Sequence, residues 1–180
     1  KHVFILHGTG YGGGSLVYAN TLLVPKDEAF IENSWTDKKW KQRLLPYYDI
    51  AKKMLGATKA KAIGESDTIL REIAREMEKS DTFSEVDVGV YFSNSDKSID
   101  PYFDGQGPLR SGCKLCGECM TGCRHNAKNT LDKNYLFFAE KLGLDILTEH
   151  EVIDINKDQA GYKLKIKKST GLIRKSYFLK

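Results

Sequence analysis

Hydrophobic positions along this chain change period several times, and each change predicts a different element. His2-Val3-Phe4-Ile5-Leu6 is apolar enough for a strand and runs directly into His7-Gly8-Thr9-Gly10-Tyr11-Gly12-Gly13-Gly14-Ser15, a glycine-rich turn. Leu16 to Leu23 then reads as a short helix or an irregular packed segment. From Thr36 or Asp37 to Leu55 the residues Trp40, Leu44, Tyr47 or Tyr48, Ala51 and Leu55 recur at helical spacing. Pro46 demands a kink or break in that helix, and Gly56 ends it. Ser66 to Lys79 predicts another helix, with Ser66 or Asp67 as cap and Ile69, Leu70, Ile73, Ala74 and Met77 on one face. Val86 to Phe92 alternates as a strand does.

The pattern then loses its period. From Ser93 to Cys123 the composition turns to Ser, Asp, Gly and Pro, which predicts a long ordered loop or a site rather than a core element. Asn129 or Thr130 can cap a helix to Leu142, ended by Gly143. Ile146 to Leu179 reads as three or four strands with turns near Gln159-Ala160-Gly161 and Ser169-Thr170-Gly171. The expected fold class is therefore α/β in the mixed α+β sense, without internal repeats or low-complexity tracts.

Composition narrows the class. The 180 residues are 41% hydrophobic and 29% charged, ordinary for a globular protein with one core or two small lobes. Lys plus Arg exceed Asp plus Glu by 28 − 24 = 4, spread along the chain, so no nucleic-acid partner is expected. No apolar run approaches the roughly 20 residues of a membrane-spanning helix, and no secretory leader is visible, so the expected location is cytoplasmic. Lys1 opens almost at once on a strand-like run and Lys180 closes another, which suggests an internal portion of a longer protein.

All four cysteines crowd into Cys113-Lys-Leu-Cys116-Gly-Glu-Cys119-Met-Thr-Gly-Cys123. Thiolates are soft ligands, and such short gaps let one loop turn several sulfurs toward one point. The spacing matches a bacterial iron-sulfur run, although Arg124 stands where that run has proline and no fifth cysteine completes a partner set. Zinc is a competing reading, although its knuckles usually lie further apart than Cys116 and Cys119. The third reading is a packed loop of reduced or disulfide-bonded cysteines without metal. After the loop, His125 with Arg124 and Lys128 could bind an anion or form a solvated polar turn. The glycine turn suits close approach of a phosphate or a flat ring to backbone. Counted from Gly8, a dinucleotide G-x-G-x-x-G fits through Gly10 and Gly13, but Asp27 and Glu28, near the required acidic position, follow Pro25 rather than a strand. No Ser-His-Asp, His-Glu-x-x-His or P-loop arrangement is present, and no carboxylate pair is nominated by spacing.

Taken together, three stretches resemble a known family. They are Gly8-x-Gly10-x-Gly12-Gly13-Gly14-Ser15-Leu16-Val17-Tyr18-Ala19-Asn20, the cysteine run continuing as Arg124-His125-Asn126-Ala127-Lys128-Asn129-Thr130-Leu131-Asp132-Lys133-Asn134-Tyr135-Leu136, and Ala139-Glu140-Lys141-Leu142-Gly143 leading to Glu149-His150-Glu151-Val152. Trp40, Leu45-Pro46-Tyr47-Tyr48-Asp49, Met54-Leu55-Gly56, Asp100-Pro101-Tyr102-Phe103 and Gly105-x-Gly107-Pro108 extend the likeness over nearly the whole chain. The chain is similar to glucose-methanol-choline (GMC) oxidoreductases of the cholesterol-oxidase-like branch. That resemblance implies part of an FAD-binding fold whose N-terminal G-x-G-x-x-G unit and C-terminal His-Asn or His-His pair lie outside these residues.

The resemblance also implies roles. Gly13, Gly14 and Ser15 look like the segment beside the FAD pyrophosphate and isoalloxazine ring, Tyr18 and Asn20 fall where that segment faces the ring, and Val152 looks like the residue whose backbone meets the adenine. Tyr18 departs from the asparagine of cholesterol oxidases proper and brings a phenol where that asparagine has a side-chain amide. The implied organisation is a flavin-contacting segment over 1–25, a substrate-lobe portion over 36–108, the cysteine-rich loop over 109–128, and a helix with strands returning to the FAD domain over 129–180. The implied reaction is hydride transfer from an alcohol or sterol CH-OH to flavin N5, with no catalytic base among these residues. Cys113, Cys116, Cys119 and Cys123 are the metal candidates, for an iron-sulfur cluster or zinc. The competing functions are an iron-sulfur electron-transfer module and a structural zinc-binding domain.

Overall fold

A computed structural model describes residues 3, 7–31, 39–159, 161–170 and 176–179. Contacts divide the chain into two compact units, Lys1–Ala139 and Glu140–Lys180. Both helix and strand are present, as expected of a mixed α+β chain. The predicted first strand lies mostly outside the described residues, as does the predicted helix start at Thr36 or Asp37.

In the first unit the glycine turn folds as a 3-10 turn, Gly13–Leu16, and a short helix α1 (Glu28–Ile31) follows. Helix α2 spans Trp40–Met54 and runs through Pro46 as one element, so of the expected kink or break, the break does not occur. The proline withholds one N-H, which leaves the carbonyl four residues earlier without its helical donor, yet the helix continues on both sides. Gly56 closes it at φ +58, its N-H donating to the Lys53 carbonyl at 3.1 Å. Helix α3 covers Glu65–Glu76, with Gly64 at the N-cap. Asp67 sits one turn inside the helix rather than at its cap, and its carboxylate accepts the Gly64 N-H at 2.9 Å. The predicted apolar face is real but bare: Ile69, Leu70, Ile73 and Met77 are all exposed.

The expected strand over Val86–Phe92 shrinks to β2 (Asp87–Val88), paired antiparallel with β1 (Thr58–Lys59). Isolated bridges Thr21 to Val88 and Val90 to Lys128 extend this ladder on either side. Around it lies the unit's small apolar core, Val88, Val90 and Ala127, with Ala60, Phe92, Cys113 and Cys123 packed against it. From Ser93 to Cys123 no named helix or strand occurs, only the Ile99 to Arg110 bridge, in keeping with an ordered loop. Asp100 organises part of it. Its carboxylate accepts N-H groups from Tyr102 and Phe103 at 3.1 Å each and from Gly105 and Gly107 at 2.8 Å each.

The helix expected from Asn129 or Thr130 is split. A 3-10 turn over Leu131–Lys133 precedes α4 (Tyr135–Lys141), the break falling at Asn134, whose φ of −143 and ψ of −96 are not helical. Thr130 makes no side-chain cap; instead Asn134 Oδ1 accepts the Tyr135 N-H at 2.7 Å at the start of α4. The second unit is a three-stranded antiparallel sheet in the order β3-β4-β5, with β3 His150–Asp158, β4 Gly161–Lys168 and β5 Ser176–Leu179. The register slips between Val152 and Asp154, a bulge on the edge strand β3. The β3-β4 turn forms where expected; Gly171 of the next turn lies outside the described residues.

Candidate functional site

The glycine turn and the segment after the cysteines meet in the first unit, joined by side chains reaching across more than a hundred positions. Ser15 Oγ donates to the Gly12 carbonyl at 2.6 Å and accepts the Leu131 N-H at 2.9 Å. Lys128 Nζ donates to the Leu16 carbonyl at 2.9 Å and to the Cys119 carbonyl at 2.7 Å, and stands 4.6 Å from the centre of the Tyr18 ring. Tyr18 Oη donates to the Asn129 carbonyl at 3.1 Å. Its phenol is pushed up to about 12 by burial first, with Cys119 adding to the shift. Asn20, at φ +59, offers its carbonyl to the Gly89 N-H at 2.7 Å.

Behind this junction lies a buried polar lattice. Arg110 is 2% exposed, and its guanidinium donates to the Asn126 carbonyl at 2.9 Å, Asn129 Oδ1 at 2.5 Å and the Lys128 carbonyl at 2.5 Å. Asn129 Nδ2 donates in turn to the Gly56 carbonyl at 3.3 Å and to Tyr102 Oη at 3.1 Å. Burying a charge costs several kcal/mol unless its hydrogen bonds are met. Arg110 and Lys128 meet theirs with carbonyls and an amide oxygen, and neither makes an ion pair with a carboxylate among the described residues. Burial lowers the pKa of both. Asp132 bears electrostatically on Arg110 and Lys133, and its buried Oδ1 has no hydrogen-bond partner.

The outer face of the turn is open. A Cβ on Gly13 or Gly14 would meet nothing within 4 Å, whereas one on Gly8 or Gly10 would run into Val17 or Leu16. Gly14 needs no positive φ either, so neither packing nor backbone of the described chain demands its missing side chain. A flat ring or a phosphate has room there to lie against backbone. Val152 belongs to the second unit, half exposed on β3 opposite Ile166. Strand β3 pairs with β4 alone among the described strands, so its other edge keeps main-chain N-H and C=O groups for another partner.

All four cysteines are free, which removes the disulfide reading. They line one small cavity of about 20 Å³ together with Val90, His125 and Lys128. Among the described residues no three His, Cys, Asp or Glu side chains are disposed to hold a metal ion. Neither the expected iron-sulfur cluster nor the expected zinc site on Cys113, Cys116, Cys119 and Cys123 is therefore supported: a tetrathiolate zinc needs all four sulfurs within about 2.3 Å of the ion, and the cavity between them, about 20 Å³, has room for little more than one water. Cys113 Sγ accepts the Leu115 N-H at 3.3 Å, and Cys123 Sγ accepts the Ala127 N-H at 3.4 Å. Burial raises the Cys113 thiol, while at Cys123 the N-H groups of Lys128, Ala127 and His125 outweigh burial and lower it.

Sequence reasoning left Lys128 between an anion site and a solvated turn, and it is neither. At 1% exposed it is a buried strut. Arg124 alone of that trio is a solvated charge, 2.9 Å from Glu118. Arg110 and Asn134 were missed altogether as buried polar positions. For Arg110 the one available signal was its place inside a glycine-rich loop with too few apolar residues to fill its own interior; Asn134, between the 3-10 turn and α4, carried none.

Three curated relatives match the chain. A cholesterol oxidase of Acinetobacter baumannii is 44% identical over 161 residues, covering 86% of this chain and 29% of that protein. Cholesterol oxidases of two Mycobacterium tuberculosis strains, CDC 1551 / Oshkosh and H37Rv, are each 46% identical over 154 residues, covering 82% of this chain and 27% of theirs. The chain thus spans less than a third of the length of the relatives it matches. No family model matches it, and no solved structure does.

Proposed function

Because the chain belongs to the cholesterol-oxidase-like branch of the GMC oxidoreductases, we propose that the whole protein is an FAD-dependent oxidoreductase acting on the CH-OH group of an alcohol or sterol. FAD, when bound, supplies the hydride acceptor at N5. The residues described here bind and orient; none of them is the base that takes the hydroxyl proton. The segment over 1–25 carries the flavin contacts, 36–108 contributes to the substrate lobe, and 129–180 returns toward the FAD domain.

The observation that carries this reading is the open, rigidly backed glycine turn. Gly13 and Gly14 present bare backbone outward, and Ser15 and Leu16 are pinned from behind by Leu131 and Lys128. Such a cradle suits the pyrophosphate and ring edge of a flavin, which needs close approach and little reorganisation. Tyr18 and Asn20 stand beside it, Tyr18 committed to Lys128 and Asn129 and so acting on the ring through shape rather than through a free hydroxyl. Val152 on the open edge of β3 offers main-chain groups to the adenine.

The test is Gly14→Leu in the whole protein. The new side chain meets nothing in the described chain, so thermal stability of the apoprotein stays within a degree or so of wild type while bound FAD falls at least tenfold and anaerobic flavin reduction by sterol or alcohol is lost. A wild-type protein without flavin, or a Gly14→Leu protein that holds FAD as tightly, overturns the reading. Exposed apolar residues on α2 and α3 have no assigned role in it. Among the described residues no helix is long and apolar enough to cross a membrane.

A further inference from the structure

Lys128 and Arg110 bring two positive charges into the interior behind the glycine turn, and neither meets a carboxylate among the described residues. Lys128 is 1% exposed and Arg110 2%. Tying the Leu16 and Cys119 carbonyls together needs donors, not charge, and a neutral amide would supply them at a lower desolvation cost. A buried ammonium without a carboxylate is best accounted for by an anion that the described residues do not supply.

A single peptide unit joins this charge to the turn. Lys128 Nζ donates to the Leu16 carbonyl at 2.9 Å, and the N-H of that same peptide, on Val17, donates to the Gly14 carbonyl at 3.2 Å. Hydrogen bonds in series polarise one another, so the ammonium reaches the bare glycine through that peptide as well as through space. Arg110 stands one step further back, its guanidinium on the Lys128 carbonyl and on Asn129 Oδ1. Lys133, half-buried, adds a third cation that bears on both. Among the described residues, the carboxylate bearing on Arg110 and Lys133 is Asp132, whose buried Oδ1 has no hydrogen-bond partner. The acidic groups that bear on Lys128 are the thiols of Cys119 and Cys123. Three cations against one carboxylate leave the back of the cradle positive.

We propose that Lys128, backed by Arg110, is a positioning residue that acts through the Leu16–Val17 peptide to favour the reduced, anionic form of a flavin held against Gly13 and Gly14. The inference rests on the flavoenzyme reading above. In that reaction the CH-OH carbon gives N5 a hydride, two electrons and one proton, and the hydroxyl proton goes to a base outside these residues. The alcohol becomes a carbonyl, and one negative charge is left on the isoalloxazine. A fixed cation in a poorly solvated space stabilises that charge without reorganising. The pyrophosphate charge is the same in both redox states, so its attraction to Lys128 leaves the redox equilibrium unmoved. Tyr18, its ring centre 4.6 Å from Nζ, covers the ammonium and keeps it at its post.

The experiment is the flavin midpoint potential of the whole protein, read spectroscopically against reference dyes in mildly alkaline buffer, where reduced flavin is the monoanion. Lys128→Gln keeps a donor for the Leu16 carbonyl and loses the charge. The ratio of reduced to oxidised flavin at a fixed external potential then falls at least tenfold, about 30 mV for a two-electron couple. Lys128→Arg keeps the charge and stays close to the wild-type potential even where thermal stability falls. Asp132→Asn removes the carboxylate from the group of cations and moves the potential the other way. Its Oδ1 has no hydrogen bond to lose, so this variant reports even if Lys128→Gln fails to fold. A folded Lys128→Gln at the wild-type potential overturns the proposal. So does Lys128→Arg shifted as far as Lys128→Gln, or Asp132→Asn shifted downward or not at all. Wild-type protein purified without flavin overturns the flavoenzyme reading and takes this inference with it, whereas flavin bound at a potential indifferent to these charges overturns this inference alone.

Discussion

Lys128 Nζ donates to the Leu16 carbonyl at 2.9 Å across 112 positions of chain, and the same ammonium holds the Cys119 carbonyl at 2.7 Å. One buried charge thus ties the glycine turn to the cysteine loop. Its desolvation is offset by two carbonyl dipoles and the face of Tyr18, each contact modest by itself.

Removing that strut is costly. Lys128→Ala strands two carbonyls and opens space beside Tyr18, and a loss of about 3 kcal/mol in unfolding free energy is expected, read from urea denaturation. A change below about 0.5 kcal/mol would mean the tie does not carry load in solution.

Gly56 and Gly105 both sit at positive φ, +58 and +82, but only Gly56 is crowded. A Cβ there would come within 2.5 Å of Asn129 Nδ2 and of the Tyr102 ring, while one on Gly105 meets nothing. Gly105→Ala should cost about 1 kcal/mol from backbone strain alone, and Gly56→Ala about 3 kcal/mol because the ring and the amide must also shift. Equal melting temperatures for the two variants would contradict this difference.

Asp100 gathers four backbone N-H donors. Burial works to raise its pKa, but those hydrogen bonds to the ionised form outweigh it, and the carboxyl lies below its usual value of 3.8. A carboxylate depressed in the folded state contributes stability that is complete above the unfolded pKa and lost as pH falls through the folded one. Stability measured from pH 6 down to 2 should therefore decline below about pH 4. In Asp100→Asn the decline should be shallower and the protein about 2 kcal/mol less stable at pH 6, since an amide accepts fewer of these bonds. An unchanged acid limb would assign the decline to other carboxylates such as Asp87, which Lys59 and Lys52 also hold low.

Tyr18→Phe keeps the ring beneath Lys128 and loses only the hydroxyl donation to the Asn129 carbonyl. The expected cost is about 1 kcal/mol, with the buried carbonyl losing its donor. Tyr18→Ala should cost about 3 kcal/mol, since ring packing and the cation contact go as well. If thermal melts place the two variants together, the ring is not what supports Lys128.

The sequence by itself determined that helices run through the regions of α2 and α3, that a strand falls within Val86–Phe92, that the stretch from Ser93 to Cys123 has no regular period, and that strands fill Ile146 to Leu179. Those are local properties: side-chain periodicity, glycine at positive φ and turn composition act within a few residues. It also carried the family, because motif order survives in one dimension. Only the tertiary structure decided that Arg110, Lys128, Asn129 and Asn134 form the buried interior of the first unit, that Tyr18 turns toward Asn129, and that Cys123 shares a cavity with Cys113. Charged and amide side chains default to solvent in any reading of pattern, because burying them is unfavourable until every donor has an acceptor. Here the acceptors, the carbonyls of Leu16, Cys119, Asn126 and Lys128, are supplied by chain segments that only the folded structure brings together.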